Sequence, residues 1–320
     1  MAVTFSSPLA PSIEGLVRMK RAQGYKYEGG AYRLSQLDRY AIEHGWESPV
    51  VGRELAEGFS RRRPDESWET TFGRRSAVRE LASWQLRRGL DAYVLPSGGK
   101  RPPGTGFTPV ILTEDEVRRL LAAADSMPPT TRSPLRHLVV PALLRTLYAC
   151  GLRIGEALTL TVADVDLEAG LLTIRPENAK FNKGRTLPMS DTLVKRLDAY
   201  DAKVGVRGPT APFFPSPSGF YDHSTICRTF HGLLAAAGIP HTDDGPTIHS
   251  LRHTFACHCI MRWAREGANI NANLPFLSAY LGHEGIEGTE RYVRLTAEML
   301  PDLRATIEDK LSWIIPGTVT

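Results

Sequence analysis

A run rich in proline and glycine divides this chain of 320 residues into a shorter and a longer part. Residues 96–106 read Pro-Ser-Gly-Gly-Lys-Arg-Pro-Pro-Gly-Thr-Gly and show no apolar periodicity. Because proline and glycine at this density do not continue a helix or a strand, the run predicts an interdomain linker over residues 96–109. The chain is also long enough for two domains, each with its own core. We therefore expect one domain at residues 1–95 and a second at residues 110–320.

The segment before the linker predicts a small all-helical bundle. Apolar residues at roughly helical spacing indicate helices over residues 13–23, 31–44, 53–63 and 67–89. The first two patterns end at a glycine and the third at a proline, which are common stop signals. The fourth pattern takes its apolar residues from Phe72, Val78, Leu81, Trp84 and Leu86.

The segment after the linker predicts a mostly helical domain with one small sheet. It opens on Thr113-Glu114-Asp115-Glu116, in which Thr113 is an N-cap residue and Glu116 completes a capping box. Strand patterns at residues 171–175 and 186–189 predict a hairpin with its turn at residues 178–185. Further helices are expected over residues 134–150, 191–203, 224–237, 248–265 and 274–281, with a short one after residue 151. The fold class is therefore mainly α.

The charge of the chain is unevenly distributed. The net charge is +4, and residues 1–106 contain 17 lysines and arginines against 12 acidic residues, whereas residues 107–320 contain 22 against 23. A basic first domain indicates a polyanionic partner, although an ordinary solvated face has the same composition. Arginine binds phosphate oxygens through its planar fork, so the residues expected to contact DNA phosphates are Arg61, Arg62, Arg63, Arg74, Arg75 and Arg79.

Composition also bears on location and cofactors. No apolar run approaches the ~20 residues of a membrane span, and the start of the chain lacks a signal-peptide pattern, so we expect a cytoplasmic protein with no membrane partner. The four cysteines lack the spacing of a disulfide framework. Cys257-His258-Cys259 suggests zinc, but adjacent residues of a helix point to different sides and no second ligand pair is present. No metal or other cofactor is expected.

The most informative stretch lies between residues 246 and 296. His249 and Arg252 are three residues apart on a predicted helix, His283 follows a Leu-Gly pair, and Tyr292 comes nine residues later. Side chains three apart on a helix project from one face, so His249 and Arg252 could reach a single phosphate together. Each of these residues alone is more often a packing or surface residue than a catalytic one, so the inference depends on their order and spacing.

Attack on a phosphodiester requires a nucleophile, cations that neutralise the developing charge, and an acid for the leaving oxygen. Tyr292 supplies the nucleophile, but its hydroxyl needs a base or nearby cations, because a tyrosine with a pKa near 10 is protonated at neutral pH. Arg153 and Arg252 supply the cations, and Lys180 at the hairpin tip is a candidate acid. His249 or His283 could serve as the base.

In their order and spacing these residues resemble the catalytic domain of the tyrosine recombinases, also called the phage integrase family. The resemblance covers residues 151–292, beginning with Gly-Leu-Arg-Ile-Gly-Glu. It assigns catalytic roles to Arg153, Lys180, His249, Arg252, His283 and Tyr292, and a supporting role to Glu156. The family commonly has glycines beside its hairpin lysine, where this chain has Ala179 and Phe181. Lys183, otherwise expected to contact DNA, is therefore the alternative catalytic lysine.

The resemblance implies a fold, a reaction and partners. The first domain is expected to be a core-binding domain that forms a clamp around duplex DNA with the catalytic domain. Tyr292 would form a 3′-phosphotyrosyl bond without metal or ATP, and four subunits would exchange strands through a Holliday junction. Integration, excision or transposition of a mobile element is the expected role. The alternatives are chromosome-dimer resolution, a type IB topoisomerase and a DNA-binding factor without catalysis.

The end of the chain predicts an amphipathic helix over residues 298–315. Its apolar residues recur at three- and four-residue steps at Leu300, Leu303, Ile307, Leu311 and Ile314. Such a helix could pack on its own domain. By the resemblance, it docks on a neighbouring subunit.

Overall fold

The computed structural model describes residues 4–64, 66–97, 109–240, 242 and 245–299. The chain forms two compact units, Met1–Phe107 and Thr108–Thr320. Most of the predicted linker and of the predicted C-terminal helix lies outside the described residues. The fold class is mainly helical with a small sheet, which confirms the prediction. Among the described residues, none of the helices is long and apolar enough to cross a membrane.

The first unit contains four helices around one apolar core. They are α1 (Ala10–Ala22), α2 (Glu28–Glu43), α3 (Arg53–Phe59) and α4 (Trp68–Arg87). Leucines of three helices, Leu16, Leu34 and Leu81, are fully buried in this core. Helix α4 begins where the Ser67 side chain accepts a hydrogen bond from the Thr70 amide at 3.2 Å, which satisfies a free N–H of the first turn.

Two residues expected on the buried face of α4 are exposed. Phe72 is 50% exposed and Leu86 is 47% exposed. The buried face instead passes through Arg74, Val78 and Leu81, which follow one another at steps of three and four residues. Because each residue turns the helix by about 100°, Phe72 lies well away from that line.

The second unit contains eight α-helices among its described residues. They are α5 (Glu114–Asp125), α6 (Arg136–Ala149), α7 (Ile154–Leu158), α8 (Asp191–Val204), α9 (His223–Ala236), α10 (Ser250–Arg265), α11 (Ile270–Leu281) and α12 (Glu287–Met299). Thr113 and Glu116 form the predicted capping box at the start of α5. Helices α10, α11 and α12 enclose their own apolar cluster, which includes Ile260, Leu274 and Leu281.

A three-stranded antiparallel sheet carries the predicted hairpin. Its strands β1 (Val165–Asp166), β2 (Leu171–Ile174) and β3 (Arg185–Pro188) are adjacent in that order, and Leu172 pairs with Leu187. The strand β1 was not predicted from the sequence, and neither was a second short pair, β4 (Pro215–Ser216) with β5 (Gly219–Phe220). Strands of two residues are too short to show alternation, so the sequence pattern does not identify them.

A buried glutamine connects three segments of the first unit. The side-chain oxygen of Gln85 accepts a hydrogen bond from the Val51 amide at 2.9 Å. Its side-chain nitrogen donates to Ser12 Oγ at 2.9 Å and to the Pro49 carbonyl at 2.8 Å. Gln85 is fully buried, so these bonds replace contacts with water that the polar groups lose on folding.

Replacing Gln85 with leucine should destabilise the first unit by about 2 kcal/mol or more, because the buried Val51 amide and the buried Ser12 hydroxyl lose their partner. Three of the five tryptophans, Trp46, Trp68 and Trp84, lie in this unit, so denaturant unfolding followed by tryptophan fluorescence measures the effect. Arg87→Leu on the exposed side of the same helix is the control and should change stability little. Equal stability of the two variants would contradict this role for Gln85.

Candidate active site

A tight turn before α7 places the first predicted arginine. Gly151 has a φ of +57°, and a Cβ there would lie 2.5 Å from the Phe255 ring and 2.8 Å from Leu281, so no larger residue fits. Arg153 is the N-cap residue of α7. Its guanidinium donates from Nη1 to Glu156 Oε1 at 2.9 Å and from Nη2 to the Gly282 carbonyl at 3.3 Å.

Glu156 holds two arginines at once. Its carboxylate is almost fully buried, accepts the Arg153 backbone amide at 3.0 Å, and forms a two-pronged ion pair with Arg185 at 3.0 and 2.9 Å. Arg185, on β3, also donates from Nε to the Tyr280 carbonyl at 2.9 Å. Burial acts to raise the pKa of Glu156, but the hydrogen bonds and charges of Arg185 and Arg153 outweigh it and hold the pKa below its usual range.

Arg252 is the most deeply buried cation of the site, with only 2% of its surface exposed. It donates from Nη1 to the Gly151 carbonyl and from Nη2 to the Leu281 carbonyl, both at 2.7 Å. Burial and the neighbouring charge of Arg153 lower its pKa to about 10, which still leaves it charged at neutral pH. The carbonyls of Leu281 and Gly282 therefore orient Arg252 and Arg153, and bring the two guanidinium groups to the same end of α11.

The end of α11 also places the second predicted histidine. The helix stops at Gly282, whose φ of +66° is the left-handed conformation that commonly ends a helix. His283 follows, and its Nδ1 lies 2.8 Å from the hydroxyl of the buried Thr289. This contact fixes the ring orientation and leaves Nε2 for a ligand, as a partner on the other nitrogen of a histidine commonly does.

Tyr292 lies on α12 and is buried against α10. Its ring is stacked on that of His283 with centroids 6.0 Å apart. Its hydroxyl lies 2.9 Å from Nδ1 of His253, a residue that the sequence analysis did not select. Burial raises the pKa of Tyr292, and the charge of Arg252 and a hydrogen bond with it act in the opposite direction.

The histidines around Tyr292 are uncharged at neutral pH. Burial, followed by the charge of Arg252, lowers the pKa of His249 and of His283 to about 4 each. Burial and the neighbouring His249 lower the pKa of His253 to about 3. The site therefore contains charged arginines and neutral imidazoles, and a bound phosphate would raise the pKa of these imidazoles.

The hairpin turn carries both candidate lysines on the surface. Lys180 begins a short 3₁₀ turn, Lys180–Asn182, between β2 and β3, and Lys183 follows it. The charge of Lys180 contributes to the lowered pKa of His249 and of His283, so it lies within electrostatic range of the site.

The predicted DNA-binding arginines of the first unit differ in their surroundings. Arg61, Arg62 and Arg63 are exposed, whereas Arg75 and Arg79 are half-buried and donate to the carbonyls of Pro96 and Leu95. Arg74 does not fit the prediction of a phosphate contact. It is 4% exposed, forms an ion pair with Glu66 and donates to the Arg61 carbonyl at 3.0 Å, so its guanidinium is used inside the unit.

The structure thus brings Arg153, His249, Arg252, His283 and Tyr292 together from four parts of the second unit. It adds Arg185, His253 and Thr289, which the sequence analysis missed. One signal was available for His253, because it follows His249 by four residues and such residues share a helix face.

Comparison with known proteins decides the family. The pattern of the phage integrase family matches residues 111–299. This chain is a member of the phage integrase family. An integrase/recombinase of Sinorhizobium fredii, designated y4rB, is 30% identical over 94% of this chain and 98% of its own length. The tyrosine recombinase XerD of Pseudomonas putida is 29% identical over 85% of this chain and 87% of its own.

A solved structure supports the fold of this phage integrase family member. The lambda integrase tetramer bound to a Holliday junction aligns with a TM-score of 0.61 at 17% identity, over 89% of this chain and 76% of that one. The family and its tyrosine recombinases make this chain an enzyme of site-specific DNA recombination, as the sequence predicted.

Replacing Glu156 with glutamine should destabilise the protein by about 3 kcal/mol, because two partly buried arginines lose the buried negative charge between them. It should also slow DNA cleavage by about tenfold or more, since Arg153 loses its orientation. Thermal unfolding and a DNA cleavage assay measure the two effects. The control is Glu177→Gln, which removes the negative charge of an exposed ion pair. In that pair Glu177 lies 3.7 Å from Arg175. An unaffected Glu156→Gln protein would contradict this role.

Proposed function

We propose that this recombinase cleaves and rejoins DNA through Tyr292, with Arg153 and Arg252 as the cations that bind the scissile phosphate. The observation that carries the proposal is the position of Tyr292 among the buried arginine Arg252, the stacked His283 and the neutral His253. A buried guanidinium near a phenol stabilises the phenolate that attack requires.

The proposed reaction is a transesterification. Tyr292 Oη attacks phosphorus, and the phenolic proton passes to a base, for which His249 and His283 are the candidates. The bond from phosphorus to the 5′-oxygen breaks as that oxygen takes up a proton. A 3′-phosphotyrosyl bond and a free 5′-hydroxyl result, and the hydroxyl of a partner strand reverses the step. Arg153 and Arg252 keep their charge throughout and neutralise the non-bridging oxygens as charge builds. His249 and His283, as neutral imidazoles, can donate hydrogen bonds to the same oxygens.

Lys180 is proposed as the acid that protonates the leaving 5′-oxygen. The influence of its charge on the pKa values of His249 and His283 supports this role. Lys183 remains the alternative for this role and is otherwise proposed to contact DNA.

We propose that DNA is bound by both units, residues 1–95 acting as the core-binding domain and residues 110–320 as the catalytic domain. The exposed arginines Arg61, Arg62 and Arg63 are suited to phosphate contacts. Integration, excision or transposition of a mobile element fits the relative designated integrase/recombinase, and chromosome-dimer resolution fits the likeness to XerD. Action on DNA is consistent with the cytoplasmic location expected from the sequence.

We further propose that the protein assembles as a tetramer on DNA, with the predicted helix at residues 298–315 of each subunit docking on its neighbour. Helix α11 has an exposed apolar surface on which the apolar face of the predicted helix could pack. An exposed apolar row on this helix follows steps of three, one and three residues and consists of Ala272, Pro275, Phe276 and Ala279. Phe276 is 73% exposed. An amphipathic helix buries its apolar face in such a surface. The lambda integrase tetramer on a Holliday junction supports the oligomeric state.

Tyr292→Phe should bind DNA but form no covalent adduct. A pool of nicked duplexes with random flanking sequence, resolved under denaturing conditions, detects adducts whatever the target sequence is. The control is Tyr280→Phe, which removes another hydroxyl of the second unit, one that donates to the Pro188 carbonyl at 3.0 Å. The control should retain adduct formation. Adducts from Tyr292→Phe would show that another residue is the nucleophile.

Phe276→Glu should prevent assembly on paired sites while a single protein still binds one site, because a charge on the apolar row opposes burial. Gel mobility on duplexes with one or two sites recovered from the adduct pool separates the two effects. Phe220→Glu changes another exposed phenylalanine and should assemble normally. If Phe276→Glu assembles as well as the wild type, α11 is not the docking surface.

A further inference from the structure

A histidine outside the predicted set contacts the reacting atom. His253 Nδ1 lies 2.9 Å from Tyr292 Oη, and the two ring centroids are 5.5 Å apart at an angle of 51°. A separation of 2.9 Å is an ordinary hydrogen-bond length. The proposed nucleophile is therefore held by a side chain for which the mechanism above has no role.

The contact belongs to a regular arrangement between α10 and α12. His249, His253 and Cys257 follow one another at steps of four residues, so they lie along one side of α10 and its N-terminal cap. The rings of His249 and His253 meet edge to face with centroids 4.6 Å apart. Cys257 Sγ lies 3.9 Å from the Tyr292 carbonyl, which also accepts the Thr296 hydroxyl at 2.8 Å. One side of α10 thus contacts both the backbone and the hydroxyl of Tyr292.

The direction of the hydrogen bond follows from the protonation states. The pKa of Tyr292 is raised, so its hydroxyl carries a proton at neutral pH. The pKa of His253 is lowered to about 3 by burial, by His249 and by the charges of Arg252 and Arg291, so its ring is neutral. Both groups are therefore neutral. Because Oη already accepts a hydrogen bond from the charged Arg252, we assign the phenol as the donor to Nδ1, which places the imidazole proton on Nε2.

We propose that His253 is the hydrogen-bond acceptor that orients the Tyr292 hydroxyl for attack on the phosphate. By fixing the proton of Oη toward Nδ1, it directs the lone pairs of Oη away from the His253 ring, so that they can attack a phosphate held by the arginines. This rests on the proposed role of Tyr292. It gives His253 an orienting function, in which the ring accepts the hydrogen bond that holds the hydroxyl in place, whereas the candidate bases for the phenolic proton are His249 and His283.

The same helix offers a matched control. His258 Nδ1 lies 2.8 Å from the Tyr148 hydroxyl, with ring centroids 5.9 Å apart. This second tyrosine–histidine pair has the same chemistry and a similar half-buried position, but Tyr148 has no part in the proposed reaction. Removing either imidazole should disturb packing to a similar degree, so only a specific role of His253 separates their effects on cleavage.

The first experiment compares single-turnover adduct formation on a duplex recovered from the nicked pool. An asparagine oxygen can occupy the position of Nδ1, whereas a glutamine oxygen lies nearer that of Nε2. His253→Leu and His253→Gln should slow adduct formation by about 100-fold, the cost of a misplaced reacting group, and His253→Asn by less than about tenfold. His258→Leu should match the wild type. Equal rates for His253→Leu and wild type, or for His253→Asn and His253→Leu, would overturn the proposal.

The second experiment needs neither DNA nor activity. The chain has nine histidines, and ¹⁵N spectra of the imidazole nitrogens distinguish the two neutral tautomers. The signal absent from His253→Asn identifies His253, which should be the Nε2–H tautomer with a Nδ1 signal that shifts in Tyr292→Phe. An unchanged signal, or a ring protonated on Nδ1, would overturn the proposal even where His253→Leu or His253→Gln fails to fold. If the wild type forms no adduct while this shift is present, the role of Tyr292 in cleavage fails and the hydrogen bond stands.

Discussion

The buried carboxylate of Glu156 is the interaction on which the site depends. It accepts hydrogen bonds from Arg153 on one side and from Arg185 on the other, and Arg185 in turn binds the Tyr280 carbonyl of α11. A buried charge is stable only when it is paired and hydrogen-bonded. The pairing therefore ties together α7, β3 and α11. The turn before α7 and the end of α11 also present the carbonyls of Gly151 and Leu281, which orient Arg252.

In this site the arginines carry the positive charge, and the histidines form hydrogen bonds without carrying charge. Arg153 and Arg252 remain charged and are fixed by backbone carbonyls, so they need little rearrangement when a phosphate arrives. The imidazoles of His249, His253 and His283 are neutral, so they can donate or accept hydrogen bonds without adding positive charge. Tyr292 lies between these two groups. An arrangement of this kind suits the binding of a phosphodiester, which is the function proposed for the site.

Much of the fold and of the site could be predicted from the sequence, for identifiable reasons. The helices have strong periodicity and clear caps, as at Thr113, and the site residues have a characteristic order from Arg153 to Tyr292. The outward position of Phe72 could not be predicted, because apolar residues occur on two sides of α4 and only packing selects the buried one. Arg74 was expected to contact phosphate for a related reason. Its ion-pair partner Glu66 lies in the loop before α4, and only folding of that loop against the helix brings the two side chains together.

The missed residues share a physical cause. Arg185 contacts Glu156, which lies 29 positions earlier, and Thr289 contacts His283, which lies six positions earlier. Such contacts leave no local pattern in the sequence. His253 was detectable by its spacing from His249, but its partner Tyr292 lies 39 residues further along. Spacing identifies residues that share a helix face, whereas the packing of α10 against α12 decides which of them touches Tyr292.

The central claim is that Tyr292 becomes linked to the 3′-phosphate of a cleaved strand. The most direct measurement is mass spectrometry of the wild-type adduct after the DNA is trimmed with nuclease and the protein is digested with protease. The nucleotide remnant should lie on Tyr292 and be attached through a 3′-phosphate, with a free hydroxyl on the 5′ end of the released strand. A remnant on any other residue, or a linkage through a 5′-phosphate, would contradict the account.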